Sequence, residues 1–267
     1  MLPENKIINS LWIGDELSNL ELLTIRSFLA KGHRFRLWLY EIVKTPLPEG
    51  VEICKAEQII PKEKVFSYKY ANEYGHGKGS YAGFSDIFRY KLLYEYGGWW
   101  VDMDVTCLKP FDFETPYFFR NHHDLKVVGN VMKCPQGSEL MIRCFTEAMA
   151  SVNEENTDWH KPINILNTNI SDLVLENYIH QDISNPDRWE ITSRYIWETD
   201  ILPNHWYFIH WQNEEWRFKH VSKKEFYYPS AIGLLTRGYH LTKASLTLYE
   251  KVKNQLKFSK IFRTLFQ

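Results

Sequence analysis

The sequence has few cysteines, almost no net charge and no long apolar run, and each absence narrows the class of protein. The four cysteines lack the paired spacing of a structural zinc site, so we expect buried thiols in a reducing compartment. A net charge of −1 provides no basic surface for general nucleic-acid binding. No leader peptide or membrane-spanning run is apparent, so we expect a cytoplasmic protein.

Length and charge distribution predict one domain and a separate tail. A chain of 267 residues favours a single domain with a sizeable core, which we place at residues 1–250. Residues 251–267 carry five basic side chains, no acidic ones and several apolar ones between them. Such a tail either lies peripherally on the inner face of an anionic membrane or packs on the domain as a terminal helix.

The most informative segment is residues 81–113, where a helical pattern leads into a short strand. Apolar residues recur with helical spacing over residues 84–96, and Asp86 and Arg89 share one face of that helix. The glycine pair at residues 97–98 then allows the chain to turn back sharply. The pattern therefore predicts a helix that presents an acid and a base together and ends at a glycine turn.

The strand after this turn ends in two acidic residues. Residues 99–103 predict a strand that is buried on both sides, and side chains alternate along a strand, so we expect Asp102 and Asp104 to point the same way. Two converging carboxylates repel each other unless a cation lies between them. Hard oxygen ligands suit Mg²⁺ or Mn²⁺. The pattern predicts a site for a divalent metal and a phosphorylated sugar.

The flanking sequence predicts the alternation of an α/β fold. Helical spacing of apolar residues covers residues 19–31 and 137–150. Strand patterns cover, in chain order, residues 6–14, 35–40, 51–54 and 125–134. The order strand, helix, strand at the start of the chain is typical of a nucleotide-binding sheet.

The ordered run S-D-x-x-R, Y-G-G and D-x-D is more specific than any of its parts, and it is formed by Ser85, Asp86, Arg89, Tyr96, Gly97, Gly98, Asp102 and Asp104. It resembles the glycosyltransferases with a DXD-containing sugar-binding region, placed in glycosyltransferase family 32. That group is similar to initiating mannosyltransferases, α-1,4-galactosyltransferases and the glucosylating domains of clostridial toxins.

The resemblance implies a GT-A type fold, which is one α/β domain with a mostly parallel central sheet flanked by helices. It implies that Asp86, Arg89 and Asp102 are catalytic and bind the donor sugar. Asp102 and Asp104 would hold Mn²⁺ or Mg²⁺ on the diphosphate of the donor. Asn130, on a later strand, would lie near the sugar pocket.

Segments outside this region add further residues by resemblance. The opening strand is similar to the family's I-I-H-x-x-W-I-G, which implies that Trp12 and Ile13 flank the nucleotide. A C-terminal stretch is similar to H-x-x-x-x-S-W, which implies a third metal ligand at His240 and a phosphate contact at Ser245. His210, in a late strand, is the second candidate for that ligand.

The resemblance implies a metal-dependent hexosyltransferase. The donor would be a nucleotide sugar, with UDP-sugars expected first and GDP-mannose second, and the acceptor a glycan or a lipid-linked saccharide. Transfer would retain the anomeric configuration and would serve polysaccharide or glycolipid biosynthesis.

Two other functions stay open from the sequence. Residues 102–106 also fit D-x-D-x-T, the nucleophile loop of haloacid-dehalogenase-type phosphatases, in which Asp102 would attack phosphorus. The long stretch before the motif, and the lack of a suitable acidic pair after it, count against a phosphatase. A non-catalytic carbohydrate-binding protein would leave the acids and the arginine without a joint task.

Overall fold

The computed structural model describes residues 1–242, Val252 and Leu256 of the chain. The strands within this part are β1 (Ile7–Trp12), β2 (Arg34–Leu39), β3 (Val51–Lys55), β4 (Gly98–Val101), β5 (Val105–Cys107), β6 (Phe118–His122), β7 (Lys126–Cys134), β8 (Ile179–His180) and β9 (Phe208–His210). The helices are α1 (Asn19–Ala30), α2 (Ala82–Tyr96), α3 (Glu139–Ser151), α4 (Lys161–Asp172), α5 (Trp189–Trp197), α6 (Asn213–Phe218) and α7 (Ala231–Gly238). No helix in the described part is long and apolar enough to cross a membrane.

The described strands form a large sheet in the order β3-β2-β1-β4-β7-β6-β8 and a small antiparallel sheet of β5 and β9. In the large sheet, β3, β2, β1 and β4 are parallel to one another, and β6 is parallel to β8. Strand β7 is antiparallel to both of its neighbours. The predicted α/β fold with a mostly parallel central sheet is therefore confirmed.

Helices pack against both faces of the large sheet, as expected for this class. Helices α2, α3 and α4 bury an apolar cluster that includes Phe88 and Met132. Helix α1 contributes Phe28 to a second cluster, where it meets Phe35 of β2 and the small sheet. Burying each large apolar side chain contributes about 1.5–3 kcal/mol, so both faces of the sheet are stabilised by this packing.

The glycine turn between α2 and β4 has almost no room for a side chain at Gly97. Gly97 and Gly98 have φ angles of 63° and 81°, in the left-handed region. A Cβ atom on Gly97 would lie 2.5 Å from the backbone nitrogen of Gln136. Strand β4 begins at once between β1 and β7 and ends at Val101. The D-x-D triplet therefore starts at the carboxyl edge of the sheet, where α/β folds bind ligands.

One expectation about this triplet is wrong. Because β4 ends at Val101 rather than at Met103, Asp102 and Asp104 lie in the turn that joins β4 to β5. The Asp102 amide donates to the carbonyl of Asn130 at 2.9 Å, which fixes the start of this turn. The turn, and not the alternation of a strand, therefore sets the directions of the two carboxylates.

The predicted C-terminal features fall mostly outside the described residues. Ser245 lies there, as do residues 251–267 apart from Val252 and Leu256. The division of the chain at residue 250, the membrane-binding tail and the phosphate contact of Ser245 stay predictions.

Candidate active site

A cavity of about 770 Å³ lies at the carboxyl edge of the sheet. Its walls come from the end of β1, the start of α2, the turn after β4, the middle of β7 and the segment from β9 into α6. The fold therefore brings together predicted site residues that are far apart in the sequence, namely Trp12, Ile13, Asp86, Arg89, Asp102 and Asp104.

In the wall of this cavity, Arg89 lies between two carboxylates. Its Nη2 atom is 3.2 Å from Oδ1 of Asp86 and 3.1 Å from Oδ1 of Asp102. The guanidinium lies over the ring of Trp100, 5.2 Å from the ring centre. The Trp100 indole donates to the same Asp102 oxygen at 2.7 Å. Since Asp86 and Arg89 are both more than nine-tenths buried, these contacts are shielded from water and hold the guanidinium in one place.

Strand β7 completes this part of the wall. A Cβ atom on Gly129 would lie 2.4 Å from Nη1 of Arg89, so the arginine occupies space that only glycine leaves free. Asn130 is 5% exposed, and its Oδ1 atom has no hydrogen-bond partner among the described residues. An unpaired buried acceptor is costly, so Asn130 is ready to accept a hydrogen bond from a ligand hydroxyl in the cavity.

Burial raises the pKa of both carboxyl groups that face Arg89. The pKa of Asp86 rises to about 6, because burial outweighs the attraction of Arg89 and the charge of Asp102 adds repulsion. The pKa of Asp102 is also raised, with burial as the largest cause and Arg89 opposing it. Carboxyl groups whose charged form is destabilised in this way are typical of functional sites.

Asp104 lies at the far end of the same turn and contacts different elements. Its Oδ2 atom accepts a hydrogen bond from the backbone N–H of Asn213 at 2.6 Å and lies 3.2 Å from Nε2 of His210. Burial alone would raise the pKa of Asp104, but the charge and hydrogen bond of His210 keep it below its usual value. Asp104 is therefore an ionised carboxylate that faces a cation.

The pairing of β5 with β9 places His210 opposite Val105, directly after the D-x-D turn. The Nδ1 atom of His210 lies 2.7 Å from Oδ1 of Asp187. Burial on its own would lower the pKa of His210, but Asp104 and Asp187 raise it to about 10. The ring therefore carries a positive charge at neutral pH, and that charge lies against Asp104.

Another cation lines the cavity near the end of β1. The Nζ atom of Lys223 lies 5.9 Å from the centre of the Trp12 ring. It donates to Oε1 of Glu21 at 2.7 Å and to Oδ1 of Asn213 at 2.8 Å. Because the backbone of Asn213 also binds Asp104, an aromatic face and a positive charge lie beside the D-x-D turn. This arrangement suits an aromatic base joined to phosphates.

The glycine-rich segment 72–81 forms one further wall of the cavity. The Gly77 amide donates to Oε1 of Glu214 at 2.9 Å, and the Arg217 guanidinium donates to the carbonyl of Lys78 at 2.6 Å. These contacts join the segment to α6, which follows the strand that carries His210. The cavity wall formed by segment 72–81 is therefore connected to the wall formed by α6.

His240, the preferred third metal ligand, lies away from this arrangement. His240 lies just after α7, is exposed and does not line the cavity, so its predicted role as a metal ligand gains no support from its position. His210, the second candidate, lies beside Asp104 instead. Asp187 is a functional candidate that the sequence analysis missed. The only local signal for His210 is a polar residue at the end of the apolar strand F-I-H, and Asp187 has none.

Comparison with curated proteins finds no match to this chain. Among solved structures, the PaToxG glycosyltransferase is similar with a TM-score of 0.44 and 12% identity, over 97% of this chain and 87% of that one. A transferase mutant in which two cysteines are replaced by serine is similar with a TM-score of 0.44 and 8% identity, over 66% of this chain and 86% of that one. TM-scores of this size do not establish a shared fold, so the fold class is assigned from the strand order described above.

Residues 52–123 match the family described as "Glycosyltransferase sugar-binding region containing DXD motif". The matched residues include β4, the D-x-D turn and all of α2, with Asp86 and Arg89. Asp187 and His210 lie outside the match and join it only in the folded chain. Over residues 52–123, this chain is therefore similar to the DXD-containing sugar-binding region of glycosyltransferases.

Proposed function

We propose that the chain is a metal-dependent hexosyltransferase that moves a sugar from a nucleotide donor to a glycan or a lipid-linked saccharide. The observation that carries this proposal is the continuity of the cavity wall from Arg89, with Asp86 and Asp102, to Asp104 and His210. Neutral sugar hydroxyls and a charged diphosphate need different binding groups. The first group lies at the Asp102 end of the D-x-D turn and the second at the Asp104 end, so one wall can bind both parts of the donor.

A divalent cation fits beside Asp104. In the described part of the chain, no group of three or more His, Cys, Asp or Glu residues forms a metal site by itself. Oδ2 of Asp104 and Nε2 of His210 lie 3.2 Å apart, and the two side chains are joined by a hydrogen bond that the cation would replace. Mg²⁺ usually takes one or two protein ligands and completes its shell with phosphates and water, and Mn²⁺ accepts similar oxygen ligands. When bound, the cation would neutralise charge on the leaving diphosphate.

The sugar would bind against Asp86, Arg89, Asp102 and Asn130. The carboxylates and the unpaired amide oxygen accept hydrogen bonds from sugar hydroxyls, and the guanidinium donates to the ring or hydroxyl oxygens. Because these groups are fixed by burial before the sugar arrives, they hold it in one orientation at little further entropic cost. We therefore assign Asp86, Arg89 and Asp102 as the catalytic residues.

The nucleotide would bind near Trp12 and Ile13, with Lys223 beside the diphosphate. The aromatic ring at the end of β1 supports the base, and the neighbouring ammonium group supports the phosphates. A UDP-sugar is the first candidate donor and GDP-mannose the second. The sequence resemblance alone supports this choice of donors, retention of configuration and a role in polysaccharide or glycolipid biosynthesis. The basic tail alone supports contact with the cytoplasmic face of a membrane.

A panel of nucleotide sugars tests the proposal. UDP-glucose, UDP-galactose, UDP-N-acetylhexosamines and GDP-mannose are each added with and without Mn²⁺, and thermal stabilisation and slow donor hydrolysis are recorded. We expect one donor to stabilise the protein and to be hydrolysed only with the metal. The Asp104→Asn variant should lose both effects, whereas Asp172→Asn, which changes an exposed aspartate at the end of α4, should keep them.

The phosphatase alternative predicts a different result in the same assay. Oδ1 of Asp102 accepts hydrogen bonds from Arg89 and Trp100, so this carboxylate is held in place and is poorly suited to attack phosphorus. Release of phosphate from a generic phosphomonoester, with no response to any nucleotide sugar, would overturn the glycosyltransferase proposal. Binding of sugars without any turnover would instead indicate a carbohydrate-binding protein.

A further inference from the structure

A line of charged side chains runs from Asp104 through His210 and Asp187, which all line the cavity, to the buried Arg120. Arg120 contacts Asp187, Asp187 contacts His210, and His210 contacts Asp104. We propose that Asp187, held by Arg120, is a positioning residue that turns the His210 ring so that Nε2 is presented to the cation beside Asp104. This inference rests on the proposed function and adds to it two residues, Asp187 and Arg120, that do not contact the cation themselves.

The contact between Asp187 and His210 determines which ring nitrogen faces the cavity. An ionised carboxylate can only accept hydrogen bonds, so Nδ1 of His210, 2.7 Å from Oδ1 of Asp187, must carry a hydrogen. The remaining nitrogen, Nε2, lies 3.2 Å from Asp104. Metal-binding histidines commonly donate their other N–H to a carboxylate, which fixes both the tautomer and the ring orientation.

Asp187 is itself held in place by two atoms of the Arg120 guanidinium. Arg120 is 1% exposed, and its Nη1 and Nη2 atoms donate to Oδ2 and Oδ1 of Asp187 at 2.7 and 2.9 Å. The Arg120 Nε atom donates to Ser184 at 2.7 Å, and Nη2 also donates to the carbonyl of Asn185. The two-pronged contact with Asp187 fixes the plane of the carboxylate, and it does not involve the Nε atom that donates to Ser184.

The same segment also holds the backbone of His210. The side chain of Asn185 accepts from the His210 N–H at 2.8 Å and donates to the His210 carbonyl at 2.8 Å. The main chain of His210 is thus tied to Asn185 and its ring to Asp187. A buried arginine needs only one carboxylate to balance its charge, so a purely structural ion pair would not require a contact with His210.

The test uses Asp187→Asn and Ser184→Ala in the full chain. Ser184→Ala removes one hydrogen bond from Arg120 but leaves the Arg120–Asp187–His210 contacts in place. It therefore controls for the loss of stability in Asp187→Asn while His210 stays in position. Mn²⁺ affinity is measured by electron paramagnetic resonance, with and without donor. The tautomer of His210 is measured with Mg²⁺ bound, when the ring is neutral, from its ring ¹⁵N shifts. Donor hydrolysis is measured over a range of Mn²⁺ concentrations.

We expect Asp187→Asn to weaken Mn²⁺ binding by roughly 10–100-fold and to redistribute the His210 tautomers. High Mn²⁺ should restore most of kcat, since the groups that bind the sugar are unchanged. Ser184→Ala should keep the wild-type affinity and tautomer. A folded Asp187→Asn protein with wild-type Mn²⁺ affinity would overturn the inference while leaving the proposed function intact.

A second variant keeps the inference testable if Asp187→Asn does not fold. Arg120→Lys retains the positive charge but loses the two-pronged contact, so the carboxylate can rotate, and we expect a smaller loss of Mn²⁺ affinity in the same direction. Wild-type affinity in folded Arg120→Lys would then count against positioning. A wild-type protein that binds no Mn²⁺, with or without donor, would overturn the proposed function and this inference together.

Discussion

Gly129 and Arg89 pack so closely that no methyl group fits between them. A Cβ atom at position 129 would lie 2.4 Å from Nη1 of the arginine, well inside van der Waals contact. Arg89 cannot retreat, because its other contacts are the buried carboxylate of Asp86, the carboxylate of Asp102 and the ring of Trp100. The guanidinium must therefore shift into the cavity or lose one of these partners.

The first prediction is that Gly129→Ala lowers kcat/KM for the donor by roughly 100-fold, because a displacement of about 1 Å in a positioning group costs that much. Donor hydrolysis measures the loss, and circular dichroism checks the fold. Gly238→Ala is the matched control, since nothing lies within 4 Å of its added Cβ atom. Wild-type kinetics in a folded Gly129→Ala protein would show that Arg89 does not bind the sugar.

The second prediction concerns Asp86 and pH. Its folded pKa of about 6 lies above the ordinary aspartate value of 3.8, so the native state binds more protons than the unfolded state between these values. Stability should therefore fall as pH rises from about 4 to about 6, and the ionised Asp86 should destabilise the fold at pH 7. Asp86→Asn removes this dependence and should be at least as stable as the wild type at pH 7.

The same variant should lose donor turnover by roughly 100-fold or more, because the amide no longer holds Arg89 and the sugar hydroxyls together. Thermal unfolding at pH 4, 5, 6 and 7, with donor hydrolysis at pH 7, measures both effects. An Asp86→Asn protein that is clearly less stable than the wild type at pH 7 would show that the carboxylate stabilises the fold. Asp172→Asn should change neither quantity.

The sequence was informative where local rules apply. Apolar spacing predicted α2, the glycine pair predicted the turn, and the strand patterns predicted β1, β2, β3 and β7 close to their observed bounds. The position of the D-x-D triplet at the sheet edge also followed from the sequence. The directions of Asp102 and Asp104 did not, because β4 ends one residue before the triplet and a turn then sets them.

His210 and Asp187 show why the rest of the site could not be predicted. His210 reaches Asp104 through a three-residue strand whose partner, β5, lies about a hundred residues earlier. Asp187 lies in a loop before α5, and its position depends on Arg120 of β6. Such pairings are non-local contacts that leave no periodic signal in either segment. The sequence resemblance favoured His240 because a motif match compares only the local spacing of residues and not their contacts in the folded chain.

The third prediction separates two costs of replacing a glycine. Gly32 and Gly97 both have left-handed backbones, with φ angles of 85° and 63°, but only a Cβ atom on Gly97 would meet other backbone atoms. Gly32→Ala should cost about 1–2 kcal/mol from conformation alone. Gly97→Ala should cost about 1–3 kcal/mol more, from overlap with Gln136. Urea unfolding measures both variants, and equal costs would show that the 135–137 turn moves aside freely.

The fourth prediction concerns Lys223, whose ammonium group lies between the Trp12 ring and Asn213. If this cation binds the donor diphosphate, Lys223→Gln should raise the donor KM by roughly 10–100-fold, the worth of one charged hydrogen bond. The fold should persist, because Glu21 still accepts a hydrogen bond from the Ser18 amide. Lys224→Gln, which changes the exposed neighbour, is the control. Steady-state kinetics at saturating Mn²⁺ and a nucleoside-diphosphate titration measure the effect. An unchanged affinity for the diphosphate would assign Lys223 to fixing the loop on α1 instead.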